Sequence, residues 1–218
     1  MWAVATARTY GDGCAIAHAL DLVGERWALL VVRELLLGPK RFTDLRSGLP
    51  KASPNVISER LRELERAGVV TRDTLPPPAS SRVYALTDWG RELEENVISL
   101  ARWATRSPSL PRDAPMGADS VMLALKGRFD RDAAQGLRSR YDVRLGEGRF
   151  RVEVSDGEIE VARGGADRPD ASIDTDPGTL FAVLWTGRSL ADAQQTGELA
   201  IEGDAAAVER LVLVSGAP

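Results

Sequence analysis

Three prolines fall within nine residues at Ser107-Pro-Ser-Leu-Pro-Arg-Asp-Ala-Pro115, and no continuous helix runs through such a stretch. Proline fixes φ, removes the amide hydrogen and pushes the residue before it towards extended backbone. The stretch reads as a proline-rich linker, residues 107–117, between a domain at residues 1–106 and another at residues 118–218. The 218 residues suit one large domain or two small ones and are ample to bury a core. A second cluster, Pro76-Pro77-Pro78, reads instead as a loop inside the first domain, because apolar patterning resumes at once on both sides.

Before the linker the pattern is mostly helical. Ile16, Ala19, Leu20 and Val23 recur at helical spacing over Cys14 to Val23, and Gly24 interrupts them. Trp27 to Leu37 predicts a nearly continuous apolar helix, stopped by Gly38-Pro39. Phe42 to Arg46 is a short amphipathic piece, ended by Gly48 and Pro50. Ser53 as N-cap and Pro54 at the first helical position then open a helix carrying Val56, Ile57, Leu61 and Leu64, with Gly68 as its stop. Val69 to Thr74 and Arg82 to Thr87 read as strands on either side of the proline loop. One helix is then expected from Thr87 or Asp88 through Leu93, Val97, Leu100 and Trp103 to about Arg106.

That order of elements is a winged helix-turn-helix. Phe42 to Leu49 is the positioning helix and turn, Ser53 to Ala67 the recognition helix, and Leu75 to Arg82 the wing. Such a unit sends the N-terminal residues of its second helix to base edges in the major groove of DNA. The charge balance agrees: residues 40–82 hold nine basic side chains against five acidic ones in a chain of net charge −4. A locally basic segment in an acidic protein suits a polyanion, although a solvated charged face alone has the same composition.

Several runs resemble the HxlR-type branch of the MarR-like bacterial regulators. They are Gly13-Cys14, Ala19-Leu20-Asp21, Gly24-Glu25-Arg26-Trp27, Arg33-Glu34-Leu35, Arg41-Phe42-Thr43-Asp44-Leu45, Ile57-Ser58-Glu59-Arg60-Leu61-Arg62-Glu63-Leu64-Glu65, Gly68-Val69-Val70 and Tyr84-Ala85-Leu86-Thr87. The resemblance implies a homodimeric transcriptional regulator, most often a repressor, on a pseudo-palindromic double-stranded operator. It also implies dimerisation through the N-terminal segment and the last helix, Glu94 to Arg106. Ser53, Asn55, Ser58 and Arg62 are expected to face the groove or its rim, Asn and Arg reading base edges and Ser holding phosphate. Arg41, Lys51 and Arg82 are expected as phosphate clamps. Arg60 matches a family position, with either a DNA contact or a structural pairing with Glu63 or Asp44.

Cys14 has two readings. It stands where this family often carries a cysteine, which some members use as a redox or electrophile sensor. It also suits a small apolar helix residue at the dimer interface. His18, one helical turn on, reads as a helix-surface residue.

After the linker the texture becomes α+β. Tyr141 to Leu145, Phe150 to Val154 and Ile159 to Val161 alternate between Gly-rich turns as a β-meander, and Ala171 to Asp174 adds a candidate strand. Helices are expected at about Pro177 to Thr186, Ser189 to Gln195 and Ala205 to Leu213, with a strand at Leu199 to Glu202. The runs Asp170-Ala-Ser-Ile-Asp174-Thr-Asp176, Leu180-Phe181-Ala-Val-Leu184, Gly197-Glu-Leu199 and Ile201-Glu-Gly203-Asp204 resemble the sterol-carrier-protein-2 fold. That resemblance implies an apolar tunnel for a hydrophobic small molecule, with Leu125, Phe129, Leu180, Phe181, Leu184, Trp185 and Leu190 as candidate lining. The same residues also suit a filled core. The fold class expected for the whole chain is α+β, a winged helix-turn-helix domain followed by a small α+β sterol-carrier-protein-2-like domain.

Composition narrows the remaining classes. With one cysteine there is no internal disulfide framework, and a Cys-rich zinc site is not expected, so no metal and no cofactor is assigned. A Ser-His-Asp triad would rest on His18 alone, and no nucleophile elbow or acyl-CoA loop is present, so an enzyme is not expected. A free-standing lipid carrier would leave the Ser53 to Arg62 segment without a purpose. No apolar run approaches the ~18 residues of a membrane span, and the N-terminus lacks the basic-then-apolar order of a signal peptide, which points to the cytoplasm. Three forms of regulator remain: one modulated by an apolar ligand in the second domain, one whose second domain is purely structural, and one switched by oxidation of Cys14.

Overall fold

In the computed structural model, which describes residues 9–74 and 81–216, the helical breaks fall where Gly and Pro demand them. α1 (Ala15–Val23) ends at Gly24, and α2 (Ala28–Leu36) ends before Gly38-Pro39. Trp27, expected as the first residue of that second helix, stands outside it with φ of 80°. Left-handed backbone is unfavourable for so bulky a residue. The indole packs on the buried cluster of α2, and the Arg26 guanidinium lies 5.3 Å from its ring centroid.

α3 (Phe42–Gly48) starts with the Asp44 carboxylate accepting from the Arg41 amide at 3.3 Å. α4 (Pro54–Arg66) starts as expected, with the Ser53 hydroxyl accepting from the Val56 amide at 3.4 Å and Pro54 in the first turn. Val31, Val32 and Leu35 of α2, Leu45 of α3, and Ile57, Leu61 and Leu64 of α4 close one apolar core. β1 (Val70–Thr74) and β2 (Arg82–Leu86) pair antiparallel, from Val70 opposite Leu86 to Thr74 opposite Arg82. Lys40 adds one residue of a third strand: its amide donates to the Tyr84 carbonyl at 3.0 Å and its carbonyl accepts from the Tyr84 amide at 2.8 Å. Of the expected wing, residues 75–80, with the proline cluster, lie outside the described residues.

The single helix expected from Asp88 to Arg106 is two: α5 (Asp88–Arg91) and α6 (Leu93–Ala104). The first turn is tied down from the side. Thr87 Oγ1 donates to the Gly68 carbonyl at 2.7 Å and accepts from the Gly90 amide at 2.9 Å, and a Cβ on Gly90 would overlap the Val69 carbonyl. By internal contacts the chain divides between Val97 and Ile98, inside α6. No helix or strand lies between Ala104 and Ala118.

After the end of α6, the second unit continues with a helix not expected from the sequence, α7 (Ala118–Arg128). Val121, Met122, Leu123 and Leu125 are all buried, so there is no one-sided apolar stripe to give the helix away. β3 (Arg138–Leu145), β4 (Gly148–Ser155), β5 (Glu158–Arg163), β6 (Ala171–Thr175) and β7 (Leu199–Gly203) form one sheet in the order β5-β4-β3-β6-β7, with β3 and β6 parallel and the other pairs antiparallel. Its covered face carries Tyr141, Val143, Leu145, Phe150, Val152, Val161 and Ile173. The opposite face carries ion pairs such as Arg151–Glu160 at 3.1 Å and Arg144–Asp174 at 3.4 Å. This is the alternation of a mostly antiparallel sheet with one face covered and one charged.

α8 (Pro177–Trp185), α9 (Leu190–Gln195) and α10 (Ala205–Val214) complete the unit, and α7 and α8 pack together. Asp176 caps α8 with three donors: the Gly178 amide at 2.8 Å, the Thr179 amide at 3.0 Å and the Thr179 hydroxyl at 2.5 Å. The Thr179 hydroxyl above all holds this carboxyl below the usual carboxylate range. Asp176→Ala is expected to cost about 0.5–2 kcal/mol in urea unfolding. The cap's contribution is complete above about pH 4–5 and fades as pH falls through the lowered native value, so the wild-type and Asp176→Ala curves converge in acid.

Candidate nucleic-acid interface

The row of α4 opposite its buried stripe is polar. Asn55 and Arg62 are exposed, and Ser58 is half-buried beside them. Ser53 is exposed but spends one lone pair on the cap. Between α3 and the start of α4 lies an open concavity of about 700 Å³, lined by Thr43, Arg46, Ser47, Pro50, Lys51, Ala52, Ser53 and Pro54. It brings together Lys51 and Ser53, both anticipated, with Thr43, Arg46 and Ser47, which were not. The missed signal was local: those three share one face of α3 at i, i+3 and i+4. Two cations, three hydroxyls and the first turn of a 13-residue helix converging on one hollow suit a phosphate group. Arg41 is exposed at the N-cap of α3, and Arg82 is exposed at the start of β2.

Arg60 is placed apart from these residues. It is 8% exposed and belongs to the buried stripe. Its guanidinium pairs with Glu63 at 2.9 Å, and with Glu25 and Glu59 at 3.3 Å each. The pairing with Glu63 is the structural alternative anticipated for it; Asp44 is replaced by Glu25 and Glu59. Arg72 is also committed: it grips Glu65 of α4 through two hydrogen bonds of 2.5 and 2.9 Å and stacks 5.5 Å from the Tyr84 ring centroid, binding α4 to the β-hairpin.

Residues 22–110 match the model of the HxlR-like helix-turn-helix family. YvaP, an uncharacterised HTH-type transcriptional regulator of Bacillus subtilis, is 42% identical over 87 residues, which are 40% of this chain and 81% of YvaP. The chain belongs to the HxlR-like helix-turn-helix family. The HxlR-like part is also 33% identical to the transcriptional regulator YodB of B. subtilis in its reduced form, over 44% of this chain and 95% of that one, with a TM-score of 0.40. HypR, described as a redox regulator and solved in its oxidised form, is 30% identical over 44% of this chain and all of that one, with a TM-score of 0.39.

Residues 123–214 of this HxlR-like chain match the SCP-2 sterol transfer family model. Within them Leu125, Leu180, Leu184 and Trp185 are buried, while Phe129, Phe181 and Leu190 are half-buried. Trp185 is pinned: its indole N–H donates to the Ser215 carbonyl at 3.0 Å, the Arg128 guanidinium lies 5.2 Å from its ring centroid, and Phe181 meets it edge-on at 5.3 Å. Cys14 is exposed at the N-cap of α1, where the Ala17 amide and then the Ile16 amide lower its thiol pKa. No group of described His, Cys, Asp and Glu residues is arranged to hold a metal ion, and no described helix is long and apolar enough to cross a membrane.

Proposed function

We propose that this HxlR-like chain is a cytoplasmic transcriptional repressor that binds a pseudo-palindromic operator as a homodimer, and that an apolar small molecule in its SCP-2-like half modulates the affinity. The observation that carries the reading is the exposed Asn55–Arg62 row of α4 beside the α3–α4 hollow with Arg46 and Lys51. Asn55 and Arg62 read base edges in the major groove, while Lys51, Arg41, Arg82 and the hollow hold phosphates. Ser53 and Ser58 lie at the rim. Arg60, turned inwards, takes no part in the contact.

Dimerisation has apolar surface to use: Ile16 and Leu20 lie one turn apart on α1, and Leu100 and Trp103 lie on α6, all exposed. The ligand reading rests on the family match of residues 123–214 and on the apolar side chains of α7 and α8. A ligand there alters operator affinity only by favouring one of two dimer geometries. Native mass spectrometry of the purified protein tests both points, since it reports the subunit count and any co-purified apolar compound.

The DNA reading is tested by selecting duplexes from a randomised library with the full chain and titrating variants on the enriched sequence. Asn55→Ala is expected to cost about 1–3 kcal/mol and relax specificity at one base position. Arg82→Ala should weaken all sequences alike and reduce the slope of log affinity against log salt by about one. Identical behaviour of the two variants would falsify the assignment of recognition helix and wing.

Cys14 supports a second reading, regulation by oxidation or electrophile capture, because the thiol is exposed and its pKa is lowered by helix N-terminal amides. A lowered pKa means more thiolate at neutral pH. Alkylation by iodoacetamide should therefore run faster at pH 7 than on an unstructured cysteine peptide, with a rate–pH profile that inflects below the ordinary thiol range. A profile matching the peptide's would remove the chemical basis of this reading.

A further inference from the structure

The buried stripe of α4 is Ile57, Arg60, Leu61 and Leu64, so a guanidinium stands where the helical period asks for an apolar side chain. Two of its partners, Glu59 and Glu63, lie on α4 itself. The third, Glu25 at 3.3 Å, comes from the turn joining α1 to α2. That turn has little freedom. A Cβ on Gly24 would overlap the Leu20 carbonyl, and Trp27 closes the turn in the left-handed region with its indole packed on the core.

Stability does not account for Arg60. Its Nε and Nη1 make no hydrogen bond among the described residues, so Nη1 meets Glu25 and Glu63 as ion pairs only, and the three carboxylates around the guanidinium are each partly open to solvent. A buried ion network replaced as a whole by apolar side chains of similar volume often loses no stability. Arg60 does make one connection that an apolar side chain cannot: it links the recognition helix to the carboxylate of the α1–α2 turn. In a dimeric helix-turn-helix protein, the pose of the recognition helix on its scaffold sets the distance between half-sites.

We infer that Arg60 is a positioning residue: through Glu25 it fixes the pose of α4 on the α1–α2 turn, and so the half-site geometry, without touching DNA. The inference rests on the DNA-binding reading above.

The test uses the full chain and the duplex enriched by the wild type, with Glu25→Gln, Arg60→Met and, as control, Glu59→Gln. Glu25→Gln removes a negative charge from a DNA-binding unit, which by charge alone tightens binding. Positioning predicts the opposite sign, a loss of roughly tenfold in affinity, together with weaker discrimination against duplexes whose half-sites are one base pair closer or farther apart. Glu59→Gln, whose carboxylate never leaves α4, should bind as tightly as the wild type or more tightly. Arg60→Met should lose affinity like Glu25→Gln yet keep the wild-type salt slope.

Glu25→Gln binding as tightly as the wild type overturns the inference. So does a salt slope that drops by about one in Arg60→Met, the mark of a lost phosphate contact. If Arg60→Met does not fold, the sign of the Glu25→Gln effect decides alone. Failure of the wild type to enrich any duplex instead overturns the DNA reading itself, and the inference with it.

Discussion

Glu34→Leu is expected to destabilise the first unit by about 3–5 kcal/mol, read as a shift of its urea midpoint. Glu34 and Lys40 are only 2% and 4% exposed, and the Lys40 ammonium donates to the Glu34 carboxylate. The other carboxylate oxygen accepts from Arg33 Nη2 at 2.7 Å and Nε at 3.2 Å. The carboxylate also fills the space beside Gly48 so closely that a Cβ there would overlap it. Leucine at position 34 withdraws a counter-charge from a buried ammonium, which is costlier than losing a surface pair. The effect should spread to the β-hairpin, because the Lys40 backbone is bonded to Tyr84 of β2. Glu34→Leu combined with Lys40→Met should regain most of the loss, since an apolar pair of similar volume has no charge to desolvate. A loss below about 1 kcal/mol for the single variant would place the pair in solvent rather than in the core.

Trp185→Ala is expected to cost the second unit about 3–5 kcal/mol. The indole is 4% exposed, and three groups hold it: the Ser215 carbonyl, the Arg128 guanidinium and the Phe181 ring. Truncation leaves a cavity as well as an unpaired Ser215 carbonyl. This variant also bears on the apolar ligand. A side chain pinned on three sides is part of the core of this unit, so its loss lowers the midpoint whether or not the proposed ligand is present. A variant as stable as the wild type that no longer carries an apolar compound through purification would make Trp185 a yielding tunnel wall instead.

Much of the fold was legible because its causes are local. Ser53-Pro54, Gly24, Gly38-Pro39 and Asp176-Pro177 start or stop helices by their own backbone chemistry. Alternation over residues 138–163 marks three strands for the same reason, although the charged ends from Arg138 and to Arg163 made them look shorter than they are. The exposure of Asn55 and Arg62 was legible too. Asn55 and Arg62 are out of phase with Ile57, Leu61 and Leu64, and that phase is set by 3.6 residues per turn.

What escaped a reading by period and cap depends on partners from elsewhere in the chain. α7 is buried too widely to show a stripe, and α5 parts from α6 where Thr87 is tied to the Gly68 carbonyl and Gly90 packs against the Val69 carbonyl. Thr43, Arg46 and Ser47 become part of a site only when α3 is laid beside the start of α4. Arg60 carries a charge that suggests DNA, yet Glu25, 35 positions earlier, draws it inwards. The sequence by itself determined most of the elements, their order and the family, since each depends on neighbours within a few residues. Which charges face outwards and which are spent inside was decided only by the tertiary structure, because burial and ion pairing depend on distance in space rather than along the chain.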